Sequence, residues 1–128
     1  MALVATNTSG SPKTLSVNGT VLDLGGVNLT ATGPQIQLSN MTVVVSGDDF
    51  IEVFGLPVIA AGPLLQATNT TISAPASALD TENLLFLTDG ASLTVNGAGL
   101  AALLQLSGGS VTTRPGLVLL HPGASLSL

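Results

Sequence analysis

The sequence predicts an all-β fold, a single domain of 128 residues built from many strands of three to five residues. Three observations predict it. Apolar residues alternate with polar ones at a period of two almost everywhere, as half-buried strands require. Gly, Asn, Asp and Pro pairs punctuate the chain at short intervals. A unit of two alternating strands joined by a turn recurs along the length.

The alternating segments include Leu15-Ser16-Val17, Val27-Asn28-Leu29, Ile36-Gln37-Leu38, Leu93-Thr94-Val95 and Leu126-Ser127-Leu128. Between such segments stand Asn18-Gly19, Gly25-Gly26, Gly33-Pro34, Ser46-Gly47, Asp89-Gly90, Asn96-Gly97 and Pro122-Gly123. Only Ala98–Leu104 has helical character; it is short and carries Gly99, so it reads as a strand approach or a brief turn. Residues 1–14, with Gly10 and Pro12, read as an irregular N-terminal arm.

The recurring unit is apolar-x-apolar, a turn, then a second alternating strand. It is read at Gln35–Leu38 with Met41–Gly47, Leu64–Ala67 with Thr70–Ser73, Leu84–Leu87 with Ala91–Gly97, Leu103–Leu106 with Ser110–Thr113, and Leu117–Leu120 with Ala124–Leu128. The anchors Ala67, Leu87 and Leu106 are 20 and 19 residues apart. A spacing near 20 fits one coil of a three-faced β-solenoid, which gives about five to six short coils. Leu38, Ala67, Leu87, Leu106 and Leu120 are expected to point inward, and Thr94 and Ser127 outward.

With its Gly/Asn turns, few charges and abundant Ser, Thr and Val, the two-strand unit resembles right-handed parallel β-helix proteins. That group includes pectin-lyase-like enzymes, surface adhesins and phage tail-spike domains. The resemblance covers residues 15–128 and is one of architecture. The alternative is a β-sandwich. Its core usually includes large rings, whereas only 2% of this chain is aromatic. Continuous apolar runs such as Leu117–Leu120 suit parallel strands.

Composition excludes several function classes. Charged residues make up 7% of the chain, against a usual ~25%. Lys13 and Arg114 are the only strong cations and the net charge is −5, too little positive charge to grip a phosphate backbone or anionic lipid. With no Cys, disulfides, thiol catalysis and thiolate-bound metals are excluded. The longest apolar stretch, Val53–Leu65, is broken by Gly55, Pro57, Gly62 and Pro63 and falls short of the ~20 residues that a membrane helix needs.

Asp48, Asp49 and Glu52 form the densest acidic group. They read first as a solvated turn, then as a weak cation site. His121 and Arg114 lie far along the chain in Pro-Gly turns, and no β-helix catalytic motif carries over. Asp80, Glu82 and Asp89 flank the Leu84–Leu87 strand as edge charges. The single histidine excludes a His-rich zinc site within one chain. No Gly-x-Ser-x-Gly elbow or phosphate-binding Gly loop is present. No catalytic, cofactor or metal-ligating residue is assigned.

Five of the seven Asn lie in Asn-x-Ser/Thr, at Asn7, Asn18, Asn28, Asn40 and Asn69. Two readings stand. One is N-glycosylation of a secreted protein; the other is turn positions where Asn adopts left-handed backbone and stacks on Asn of the next coil. The triplets Thr6-Asn7-Thr8, Thr30-Ala31-Thr32 and Thr68-Asn69-Thr70 are similar to those of ice-binding solenoids, but their spacing is irregular.

The expected function is a non-enzymatic structural or adhesive β-solenoid segment of an extracellular or cell-surface protein, with glycan or protein partners met through Ser, Thr and Asn. A diverged carbohydrate-active enzyme using Asp48, Asp49 and Glu52 is the rival, and ice binding a third reading. The N-terminus lacks a signal peptide's basic start, so secretion requires a signal on a longer precursor. Strand-like alternation reaches Leu128 with no capping helix. That leads to the expectation of an excerpt, or of ends covered by head-to-tail association.

Overall fold

The computed structural model describes residues 3–11, 13–25, 29–31, 33–55, 57–74, 83–96, 103–114 and 116–128. They form fourteen strands and no helix. In chain order these are β1 (Leu3–Thr6), β2 (Lys13–Asn18), β3 (Leu22–Gly25), β4 (Leu29–Ala31), β5 (Ile36–Ser39), β6 (Met41–Ser46) and β7 (Ile51–Phe54). There follow β8 (Val58–Ala60), β9 (Leu65–Ala74), β10 (Leu85–Thr88), β11 (Ser92–Val95), β12 (Leu104–Thr113), β13 (Val118–Leu120) and β14 (Ser125–Ser127).

Every ladder among them is parallel, which is not the pairing of an antiparallel sandwich. The strands form three curled sheets. Sheet A runs β1-β5-β9-β6-β2 with β12 on β9, sheet B runs β13-β10-β7-β3, and sheet C runs β14-β11-β8-β4. The chain visits A, B and C in the same order on each pass, so the described strands stack in four tiers.

The tiers are longer and fewer than the five to six coils expected. Gln37 and Gln66 are stacked 29 residues apart, Asn7 and Asn40 33 apart, and Gln66 and Gln105 39 apart. The 20-residue spacing joined positions from different sheets. Leu106 stands beside Ala67 in sheet A, whereas Leu87 stands between Val53 and Leu120 in sheet B. Residues 1–14 are not an irregular arm throughout, because Leu3–Thr6 and the start of β2 join sheet A. The Ala98–Ala102 part of the segment read as a strand approach or a brief turn lies outside the described residues.

Burial follows the alternation. Ile36 and Leu65 from sheet A, Ile51 and Leu85 from B, and Val58 and Leu93 from C close a common core at 0–1% exposure. Leu38, Ala67 and Leu87 are buried, and Thr94 and Ser127 exposed, as expected. Leu106 and Leu120 differ, at 46% and 43% exposure. They keep the inward phase of their partners Ala67 and Leu87, but they belong to the fourth tier, which pairs on one side only among the described residues.

Sheet A is wide because each tier crosses it through a bend, as the strand pairs β1/β2 and β5/β6 in the first two tiers and as the single strands β9 and β12 in the last two. At the bend Asn40 and Asn69 take left-handed backbone, with φ of 56° and 48°. One residue in this conformation resets the in-out alternation, so Leu65, Ala67, Thr70 and Ile72 are all buried. In the fourth tier Gly108 and Gly109 make the bend, with φ of 70° and 82°. A Cβ on Gly109 would stand 2.1 Å from the Thr70 carbonyl oxygen.

Gly109→Ala therefore combines a left-handed strain with a backbone clash. It is expected to cost about 2–3 kcal/mol in urea unfolding. Gly10→Ala, with no atom within 4 Å of the added carbon, should change stability by less than about 0.5 kcal/mol. Equal midpoints for the two variants would contradict the bend geometry.

Candidate functional site

The outward side of sheet A is assembled from residues that sequence separation keeps apart. Register places Gln37, Gln66 and Gln105 in one row, with Val4 at its start. Next to it run Thr6, Ser39, Thr68 and Ser107. Beyond the bend come Thr14, Thr42, Thr71 and Ser110, then Ser16, Val44, Ser73 and Thr112. Gln37 Nε2 donates to Gln66 Oε1 at 2.9 Å, and Gln66 Nε2 to Gln105 Oε1 at 3.2 Å. These rows carry no charged side chain. They offer amides and hydroxyls at the ~4.8 Å repeat of neighbouring strands.

Along the bend runs an asparagine row. Asn69 Nδ2 donates to Asn40 Oδ1 at 3.3 Å. Asn7, in the first tier, is buried; its Nδ2 donates to the carbonyls of Ser11 and Asn40, each at 2.9 Å. Its Oδ1 accepts from Ser9 N at 3.0 Å and Ser9 Oγ at 2.7 Å. Three of the five Asn-x-Ser/Thr matches thus fall on one row, as stacking asparagines do. Asn18 is exposed on β2, and Asn28 lies outside the described residues. Beside the row is a groove of about 380 Å³, lined by Ser9–Ser11 and by Asn40, Thr42, Asn69 and Thr71.

The Thr-x-Thr triplets do not build a flat threonine ladder. Thr68 faces outward, but the reset at Asn69 turns Thr70 inward, where its Oγ1 donates to the Thr68 carbonyl at 2.9 Å. Thr30 lies in sheet C, away from the other two.

The acidic group does not converge on one point. Asp49 is buried at the corner between sheets A and B, where its Oδ1 accepts from Asn83 N at 2.5 Å and Asn83 Nδ2 at 2.8 Å. Asp48 Oδ1 accepts from Asp49 N at 2.9 Å. Glu52 instead faces out from sheet B, beside its register partner Asp23 in the first tier. Its partial burial, then the negative charges of Asp48, Asp23, Asp49 and Asp89, raise its carboxyl above the usual 4.5. Asn83, not anticipated from sequence, joins the second and third tiers through Asp49. Its own Oδ1 is buried without a hydrogen-bond partner. The signal was an Asp and an Asn 34 residues apart, each just ahead of an apolar run, at Phe50-Ile51 and Leu84-Leu85.

His121 ends the outward row that begins Gly25, Phe54, Thr88. Its ring meets Phe86 edge-on, with centroids 4.8 Å apart, and its Nδ1 lies 3.4 Å from Thr88 Oγ1. Arg114 follows β12 and is exposed. Asp80 and Glu82 lie outside the described residues. Among the described residues no three His, Cys, Asp or Glu side chains are grouped to hold a metal ion, and no helix is long and apolar enough to cross a membrane.

Comparison with family models, with curated proteins and with solved structures returned no match.

A carboxyl whose folded value is raised binds its proton more tightly in the native state. Its stabilising contribution is complete below 4.5 and is lost as pH rises through the raised value. Glu52→Gln is therefore expected to raise the melting temperature at pH 7, by about 0.5 kcal/mol equivalent or less because the side chain is largely solvated. The gain should vanish below pH 4.5. A variant no more stable than the parent at pH 7 would contradict the crowding of Glu52 by its neighbours.

Proposed function

We propose that this chain is a right-handed parallel β-helix segment of a secreted or cell-surface protein, with a structural and adhesive role. Its working surface is the outward side of sheet A, which binds glycan without turning it over. One observation carries the reading: the uncharged rows of Gln, Asn, Thr and Ser stacked in register across the tiers. Such rows repeat the same donor and acceptor at each step, as a polymer of similar sugar units does. Hydroxyl and amide contacts to a sugar contribute about 0.5–1.5 kcal/mol each, so affinity comes from several acting together.

The test is retention on insoluble polysaccharides and on a glycan array. Thr42→Val combined with Thr71→Val keeps shape and strand propensity while removing two hydroxyls. The pair should weaken retention about tenfold. Retention unchanged in the double variant, or absent in the parent, would sink the proposal. Turnover of any bound polysaccharide, abolished by Glu52→Gln, would favour the carbohydrate-active enzyme instead.

Head-to-tail self-association belongs to the same reading. In the fourth tier Leu106 and Leu120 keep an inward phase yet remain exposed, and β12 presents an edge with no Lys, Glu or Pro to discourage pairing. Sedimentation should show concentration-dependent growth. A dilute monomer with β1 and β14 both protected from hydrogen exchange would refute it.

A further inference from the structure

We infer that the groove on sheet A receives the end of a neutral glycan chain and excludes its interior. The inference rests on the glycan reading above and adds to it the class of ligand and the way it enters.

The four tiers cross the bend differently. In the third and fourth tiers single strands, β9 and β12, run straight through it, and in the second only Asn40 separates β5 from β6. In the first tier the crossing widens into a loop between β1 and β2. That loop is fastened by Asn7, whose buried amide holds the Ser11 carbonyl and Ser9 on one side and the Asn40 carbonyl on the other. Ser9, Gly10 and Ser11 therefore form a fixed wall at the first-tier end of the groove.

The floor comes from the next two tiers, with Asn40 and Asn69 at the bend and Thr42 and Thr71 beside them. The far end is different. There the asparagine row stops at Gly108, which has no side chain and whose left-handed backbone, with φ of 70°, disfavours one. No side chain of that row blocks the groove on the fourth-tier side. The groove is thus walled at one end and open at the other.

The lining fixes the ligand class. It contains no charged group, so a uronate or sulfated chain would surrender its hydration with no cation in return. Its amides and hydroxyls, with Met41 the one large apolar side chain beside them, suit a neutral, hydroxyl-rich chain. The volume of about 380 Å³ lies at the small end of the roughly 300–1,000 Å³ range of ligand sites, which suits a short terminal stretch.

The experiment titrates the full chain with neutral β-1,4-linked xylan, mannan and glucan, each as a hexamer and as a long polymer, at equal sugar-residue concentration. Polygalacturonate serves as the charged control. End recognition predicts that occupancy follows the number of chain ends. A polymer ten times longer should thus appear about ten times weaker per sugar residue, with the control silent. Gly10→Trp, at a loop position with nothing within 4 Å, should fill the groove and reduce hexamer binding at least tenfold while the circular dichroism stays unchanged. Asn7→Ala should free the wall and bring polymer and hexamer to parity per sugar residue. Binding that follows sugar residues regardless of length in the parent overturns end recognition and leaves the glycan reading intact. Preference for polygalacturonate overturns the neutral class. Binding of none of the probes overturns both readings together.

Discussion

In-register parallel stacking is the constraint on which the rest of this structure depends. Each side chain lies directly beside its counterpart in the next tier, about 4.8 Å away, so every residue must tolerate a neighbour at its own position. Amides meet this demand well, since each has both a donor and an acceptor; Gln37, Gln66 and Gln105 hand a hydrogen bond from tier to tier. Apolar residues meet it by packing, as Ile36 on Leu65 and Ile51 on Leu85. Carboxylates do not meet it. Glu52 stands beside Asp23, and partial burial first, then the charges of Asp48, Asp23 and their neighbours, raise its carboxyl above the usual value.

Corners are harder than faces, because the chain must turn while its backbone polar groups stay satisfied. Two devices do this. At the bend of sheet A a left-handed Asn or Gly turns the strand, and where Asn is used its amide also reaches the next tier. Between sheets A and B the buried Asp49 carboxylate accepts two N–H groups of Asn83. Close stacking also explains a glycine that no turn demands. Gly25 lies under the Phe54 ring, and a Cβ would stand 1.8 Å from Cζ.

Much of this was legible in the sequence. Period-two alternation gave the all-β class and the inward phase of Leu38, Ala67 and Leu87. The clustering of Asn before Ser or Thr exposed turn positions that stack. The tier length was not legible, for a physical reason. All three sheets use the same local pattern of apolar-x-apolar, so Leu84–Leu87 of sheet B looks like Leu64–Ala67 of sheet A. Only the pairing partner tells them apart. A finer mark was present in the repeated Gln between apolar residues at Gln37, Gln66 and Gln105, which labels sheet A alone. The candidate groove was less legible still. It depends on how far each tier's crossing protrudes, and Asn7 reads identically whether it carries a glycan or fastens a loop.

The sparse charge and the neutral outward face have a common origin in the stacking. Two like charges about 4.8 Å apart repel by roughly 1 kcal/mol in water, and by several times more at the effective dielectric of a protein surface. A charged residue in a middle tier meets neighbours above and below. The cations fall where that exposure is least, Lys13 in the first tier and Arg114 after the last strand of sheet A. The middle tiers of sheet A's outward rows hold Gln, Asn, Ser and Thr in place of charge, with Val44 the one apolar exception. A fold that must repeat itself every 29 to 39 residues therefore arrives at a surface of neutral hydrogen-bonding groups. That chemistry is what the proposed glycan role rests on, since a neutral, polar and repetitive ligand would meet the same donors and acceptors at every tier.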